Sequence, residues 1–314
     1  MTARILVGSC SWTDPSLISC GGFYPPGACT AETRLRYYAR QFPIVEVDST
    51  YYAPPSERNS ILWAARTPAE FVFDVKAHAL LTGHPARIGL LPVSLRESLS
   101  AGAAGKTSVY SGDLGAEGLD RLWQLHRSAL APLAAAGKLG AVLFQFPPWF
   151  VRSPRNTEYL REIPQRLPHW NAAVEFRGGG WMVADAAAHT LGLLEDLGLA
   201  YVSVDEPQGF ASSTPAVAAA TAPVAVVRMH GRNRETWNAK TSAASERFKY
   251  MYSDSELKEW LPKVRELARQ TEEVHVLFNN NYEDWGMRNA RRMAQLLDVS
   301  GTERSELTLD LWQG

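Results

Sequence analysis

Ile44-Val45-Glu46-Val47-Asp48, followed by the helix-like stretch at residues 56–66, sets the reading of the whole chain. The first segment is short and rich in β-branched residues, as a parallel strand buried on both faces must be. Ser56 then offers a side-chain oxygen to cap a helix. The same alternation recurs in both directions. Strand-like runs fall at residues 5–10, 44–48, 71–76, 140–146, 172–176, 200–204, 224–230 and 274–278. Helical patterns fall at 32–41, 56–66, 119–138, 156–167, 184–197, 254–270 and 287–297, with Gly198 as a stop signal after the fifth of them. The link after the sixth strand carries the weakest helical pattern. Crossovers of this length are right-handed, so the pattern predicts a single (β/α)8 TIM-type barrel over residues 1–314. A doubly wound open sheet is the alternative, because periodicity does not report closure. Residues 86–117, with Gly102-Ala103-Ala104-Gly105 inside them, read as an insertion after the third strand that forms a loop or lid over the mouth.

Hydrophobic residues make up 46% of the chain, enough for a large core without a metal or disulfide staple. The net charge of −1 gives the molecule no overall field for nucleic acid or an anionic membrane, so any basic site must be local. Ile5-Leu6-Val7 is too short for the apolar region of a signal peptide, and no run of about 18 apolar residues exists. A cytoplasmic, non-membrane protein is the expectation. Cys10, Cys20 and Cys29 are odd in number and lack CxxC spacing, which fits reduced thiols better than a disulfide framework or zinc site. The sequence carries no signal for oligomeric state.

In a barrel of this kind, chemistry sits where strands end and the following loops begin. Those positions are Trp12 after strand one; Glu46, Asp48, Ser49, Thr50 and Tyr51 at strand two; Asp74, Lys76 and His78 at strand three; and Gln145 at strand four. Glu175, Arg177 and Trp181 follow at strand five, Asp205 at strand six, Arg228, His230 and Arg232 at strand seven, and Asn279 and Asn280 at strand eight. Residues two apart share a strand face, so Glu46 with Asp48, Lys76 with His78, Glu175 with Arg177, and Arg228 with His230 are expected to point toward the barrel axis. Lone charges buried there would cost several kcal/mol each, roughly. They must be paired, wet or ligand-bound.

Two readings compete. One is a closed salt-bridge network of Glu46 and Glu175 against Lys76, Arg177 and Arg228. The other is a functional pocket, in which Glu46, Lys76, Glu175 and His230 are the candidate catalytic groups. Lys76 could also act as a Schiff-base amine, and Cys10 as a nucleophile, although pairing with a carboxylate and inert burial are the commoner fates of such groups. Trp12, Asp48, Ser49, Thr50, Tyr51, Gln145, Arg177, Trp181, Asp205, Arg228, Arg232, Asn279 and Asn280 are the candidate substrate-binding groups. The cofactor is open: carboxylates with His78 and His230 could hold a divalent metal, but no HxH, HxxxH or HExxH spacing is present, and no metal ligands are assigned. The stretch Arg228-Met229-His230-Gly231-Arg232-Asn233-Arg234 follows the strand after which barrels often bind phosphate, which suggests an anion site. Trp12, Tyr51, Tyr52, Trp149, Trp181 and Trp237 follow strands and could stack on sugars or bases, whereas Trp63, Trp123 and Trp260 lie in helical patterns as core residues. The expected partner is a small-molecule or phosphate-bearing ligand, handled by acid–base or metal-assisted hydrolysis or isomerisation. The alternative is a non-catalytic binder of nucleic acid or another anionic ligand.

The blocks Gly8-Ser9-Cys10-Ser11-Trp12, Val45-Glu46-Val47-Asp48-Ser49-Thr50-Tyr51-Tyr52, Phe73-Asp74-Val75-Lys76-Ala77, Phe144-Gln145-Phe146-Pro147-Pro148, Val174-Glu175-Phe176-Arg177, Arg228-Met229-His230-Gly231-Arg232 and Phe278-Asn279-Asn280 resemble domain-of-unknown-function family 72, the YecE-like proteins. The resemblance runs from about Ile5 to Leu297. It implies a TIM-type barrel and no established activity, with Glu46, Ser49, Thr50, Lys76, Gln145, Glu175, Arg177, Arg228, His230, Arg232, Asn279 and Asn280 lining the pocket. This chain departs from that pattern at Cys10-Ser11, where the family block is closer to Gly-Thr-Ser-Gly-Trp. It departs again at Gly178, where a histidine is usual, and at Thr82-Gly83-His84, which splits a Thr-His pair. The 86–117 insertion looks particular to this chain.

Overall fold

The structure is a computed structural model that describes residues 3–178, 180–238 and 244–299. The end of the expected domain, residues 300–314, lies outside the described residues. Among the described residues, eight parallel strands close into a barrel: β1 (Arg4–Cys10), β2 (Ile44–Val47), β3 (Val72–Lys76), β4 (Leu139–Gln145), β5 (Ala172–Glu175), β6 (Ala200–Asp205), β7 (Val224–Met229) and β8 (Glu273–Phe278). Closure is made by β1 against β8, from Arg4 opposite Glu273 to Ser9 opposite Phe278. The open sheet is thereby excluded, and the molecule is a (β/α)8 barrel.

Each strand alternates between two buried environments. Val45, Val47, Phe73, Val75, Phe144, Val174, Val227 and Phe278 face the helices and merge with their apolar stripes in one large core. Ile44, Val72, Ala141, Leu143, Ala173, Val202, Val204, Val226 and Leu277 face the axis and fill the barrel interior. The helices begin as their caps predict. Ser56 accepts from the Asn59 N–H before Glu57–Ala65, and Ser253 with Glu256 forms a reciprocal capping box before Asp254–Gln270. No helix follows β6; residues 206–223 cross back as an irregular segment, in keeping with the weak pattern there.

The 86–117 stretch is short pieces whose buried side chains join the large core outside the barrel. Ala86–Arg87 pairs with Ser108–Val109, and Leu91, Leu95, Ala103, Val109 and Leu114 are buried. Its contacts run to the flanking helix Gly115–Ala135, where the Arg121 guanidinium donates to the Ser94 carbonyl. The residue that reaches the mouth from this region is His84, just ahead of the expected insertion.

Near the N-terminal end of the barrel, polar groups interrupt the apolar filling. Asp74 accepts from the Ala141 N–H at 2.9 Å and from His275 Nδ1 at 2.9 Å, and His275 Nε2 meets Glu273 at 3.1 Å. Gly140 makes room for this pair. A Cβ there would lie 2.5 Å from Asp74 Oδ1 and 2.9 Å from His275 Cε1. Burial opposes charging of His275, but Asp74 and Glu273 outweigh it and hold the imidazole up at about 9.

Two outcomes are expected. Gly140→Ala should destabilise the fold by about 1–3 kcal/mol through overpacking, read as a lower urea midpoint. His275 titrates higher folded than unfolded, so its stabilisation is complete below pH 6.5 and is lost as pH rises through about 9. The melting temperature of His275→Gln should therefore lie furthest below that of the parent in mild acid and converge on it above that upper value.

Candidate functional site

Arg228 stands on the inward face of β7 with no exposed surface. Its Nε and Nη2 donate to the two oxygens of Glu46, at 2.8 and 2.6 Å, and its Nη1 donates to Glu175 Oε2 at 2.5 Å. One guanidinium thus bridges carboxylates from β2 and β5 across the barrel. The other oxygen of Glu175 accepts from Gln145 Nε2 at 2.6 Å and Arg177 Nε at 2.7 Å, with His230 Nε2 at 3.2 Å. Arg177 reaches on to Glu206 Oε2 at 2.5 Å, and Glu206 Oε1 accepts from the Thr214 N–H at 2.7 Å. His230 Nδ1 meets Asn279 Nδ2 at 2.9 Å, and the rings of Trp237 and Phe248 lie 6.5 and 6.2 Å from the imidazole.

Burial opposes the charge on Glu175, but Arg177 and Arg228 outweigh it and hold this carboxyl well below the usual range. Glu46 is the opposite case. Burial pushes it up to about 8, with Asp48 adding to the rise against the pull of Arg228. Burial also raises Glu206 to about 7 despite Arg177. His230 is driven down to about 3 by burial and by Arg177, so its imidazole is neutral.

Above this dry layer lies the part that meets solvent. Asp48 and Lys76 are half-buried and face one another at 3.8 Å, with the Lys76 ammonium 4.9 Å from the centre of the Tyr51 ring. His84 packs edge-on to Tyr51 and Trp149, and burial with the nearby charges of Lys76 and Arg177 lowers it to about 4. Arg177 lies under Trp237 at 5.2 Å. Tyr52 and Trp149 are more than half exposed, at 57% and 59%. β1 leaves this region through Ser11, whose φ of +66° is left-handed for a residue that favours other backbone regions. Its N–H donates to the Glu46 carbonyl at 2.8 Å. A serine held there bears a strain on the order of 1 kcal/mol.

The structure brings together Glu46, Asp48, Lys76, Tyr51, Gln145, Glu175, Arg177, Arg228, His230 and Asn279. It does not bring the remaining candidates to them. Asp205 lies on the outward phase of β6, where its oxygens take hydrogen bonds from Tyr252 at 2.7 Å and Trp260 Nε1 at 2.6 Å. Arg232 follows it, donating to Asp205 and Glu259. Asn280 is also outward, bonded to Asn289 and the Tyr250 carbonyl. Trp12 and Trp181 are core residues, packed on Trp63 and on Phe176. Thr50 ties the Val47 and Lys76 carbonyls together, and Ser49 is exposed beside it. His78 leaves the face of Lys76 because β3 ends there. It caps the next 3-10 turn, accepting from the Leu80 N–H. The arginines of the 228–234 stretch do not converge on one anion site: Arg228 is taken by carboxylates, Arg232 by Asp205, and Arg234 by the Gln208 carbonyl.

Two groups of the site escaped the sequence reading. Glu206 continues the inward phase Ala200, Val202, Val204, so strict alternation from the strand would have found it in place of Asp205. His84 sits in a loop, where no periodicity speaks. A metal fits poorly. Cys10, Glu46 and Asp48 offer ligand-type atoms within 4.8 Å of one another. However, both Glu46 oxygens are occupied by Arg228, and burial pushes the Cys10 thiol well up, away from the thiolate a metal needs. His78 and His230 are both turned to other partners.

Fold and cluster define the class: a (β/α)8 barrel with a charged, aromatic-rimmed group of side chains at the C-terminal mouth of its strands. The sequence profile described as "Protein of unknown function DUF72" matches residues 6–309. The UPF0759 protein YunF of Bacillus subtilis (strain 168) is 32% identical over 312 residues, covering 98% of this chain and all of that protein. A DUF72 family protein of Thermotoga maritima MSB8 superposes with a TM-score of 0.73 at 29% identity, covering 94% of this chain and 99% of its own. One from Enterococcus faecalis V583 superposes at 0.75 with 24% identity, covering 95% and 96%. The chain belongs to the DUF72 family. Among the described residues, no helix is long and apolar enough to cross a membrane.

Replacing Arg228 by Met would strand two buried carboxyls. The expected loss is about 3–5 kcal/mol of stability near neutral pH, shrinking in acid as the carboxyls are protonated, measured by urea unfolding across pH.

Proposed function

We propose that the barrel mouth is the active site of an enzyme performing acid–base chemistry, a hydrolysis or isomerisation, on a small phosphate-bearing or sugar-like substrate. The observation that carries this reading is the Glu46–Asp48 pair: a fully buried carboxyl, pushed up by burial, with an oxygen within 4.8 Å of one on half-buried Asp48, which in turn faces Lys76 at 3.8 Å. Its proton would reach substrate through Asp48, since Glu46 itself has no exposed surface. Lys76 would bind negative charge, while Tyr51 and Trp149 offer flat faces for a sugar or base. Glu175, saturated by three cationic or polar partners on one oxygen and Arg228 on the other, is a poor base and serves to position Arg177 and His230. Because Arg228 lies between Glu46 and Glu175, these two carboxyls do not flank a bond as a glycosidase pair does. Since the Cys10–Glu46–Asp48 cluster suits a proton better than a cation, no metal enters the reading.

One observation favours a second reading, a non-catalytic binder of nucleic acid or another anion. Glu46, Glu175 and Arg228 satisfy one another and are sealed from solvent. The test incubates the purified protein with sugar phosphates, nucleotides and aryl glycosides and follows each by mass spectrometry. Conversion by the parent protein is expected, with kcat falling about 100-fold or more in Asp48→Asn and KM rising in Lys76→Met. Binding without conversion, with affinity falling steeply and linearly in log salt, would overturn the enzyme and support the binder.

A further inference from the structure

The buried ion pairs form one alternating row: Glu46, Arg228, Glu175, Arg177, Glu206. Three carboxyls share two guanidiniums, and the adjoining His230 is neutral. With every carboxyl ionised the row would carry an unbalanced negative charge away from water, at a cost of several kcal/mol, roughly. Holding one proton would relieve this. Glu175 touches both arginines and is the least suited to take it, so the proton belongs to an end.

The two ends lie beside different spaces, and neither carboxyl has exposed surface of its own. Glu46 adjoins the mouth through Asp48. Glu206 lines a separate side cavity of about 350 Å³, together with Gln208, Arg232, Arg234 and Glu259. The groups facing Glu46 are Arg228, Asp48, Lys76 and Cys10. Those facing Glu206 are Arg177, Glu175, Asp205 and Tyr201, with Arg232, Arg234 and Glu259 across the cavity.

We propose that Glu206 is the proton-loading residue of the site: when the Glu46 end gives up a proton toward the mouth, Glu206 takes one from the side cavity. This rests on the acid–base reading of the mouth and adds how the charge of the row stays balanced while Glu46 is ionised. At Glu46 an O–H bond breaks and the proton leaves by Asp48 to the substrate. At Glu206 an O–H bond forms with a proton from water or buffer. Both guanidiniums keep all their protons, so the coupling between the ends is electrostatic and no proton travels along the row.

The test uses the resting protein without any ligand. The Thr214 amide donates to Glu206, so its chemical shift reports the protonation of that carboxyl. Its pH titration would be compared in the parent, Glu46→Gln and Lys76→Met, and the Glu46 carboxyl would be followed in Glu206→Gln by carbon-labelled NMR. Glu46→Gln leaves the row balanced, and Glu206 should then bind its proton about tenfold or more weakly; by reciprocity Glu206→Gln should weaken Glu46 equally. Lys76→Met, which removes a cation near Glu46 but no hydrogen bond within the row, should draw the proton to that end and lower the Glu206 midpoint as well. It serves should either glutamine variant fail to fold. A Thr214 titration unchanged by both substitutions would overturn the proposal even if turnover is found. Coupled ends without turnover would overturn only the enzyme reading.

Discussion

Everything at the mouth depends on the guanidinium of Arg228 lying across the barrel between Glu46 and Glu175. A parallel barrel brings strand ends from distant parts of the chain to one ring, but it does not by itself tolerate charge at that depth. A rigid fork answers two carboxylates in different directions, which an ammonium could not do with the same geometry. The side chains of β2, β5 and β7 are thereby tied to one another, and Gln145, Arg177 and His230 are ordered by what Glu175 has left to offer.

This arrangement separates two tasks. The lower layer is dry, mutually satisfied and fixed. The upper layer, with Asp48, Lys76 and the rings of Tyr51 and Trp149, is half open and less fully partnered. A rigid floor under an adaptable rim is what a site needs if a bound molecule is to be held in one orientation while the groups touching it remain wet. The Asp74–His275 pair shows that polar groups inside this barrel are not reserved for the mouth. That pair sits toward the opposite end, away from any open rim, and its role is structural.

Much of the barrel is legible in the sequence because parallel strands buried on both faces leave short apolar runs of fixed length, and each run found in the sequence coincides with a barrel strand within a residue or two. Closure is not legible, since it depends on β1 meeting β8 across a separation of 269 residues, from Arg4 to Glu273. For the site, alternation placed Glu46, Glu175 and Arg228 correctly toward the axis. It failed where the strand ended earlier than the polar run. At β3 the chain turns after Lys76 and carries His78 away, and at β6 the inward phase belongs to Glu206. Asp205, Arg232 and Asn280 looked like pocket groups because polar residues at strand ends were read without regard to phase. Loop residues such as His84 carry no periodic signal at all, and only packing against Tyr51 and Trp149 reveals their place.

The adjacency of Asp205 and Glu206 has a consequence for how this protein can change. Successive residues where β6 ends serve opposite clients: the first holds Tyr252 and, through Trp260, the Asp254–Gln270 helix, and the second ends the charged row inside. A shift of that outer helix would pull on the same short piece of backbone that holds the inner carboxylate. Scaffold repairs made on the outside of β6 are therefore not silent at the centre.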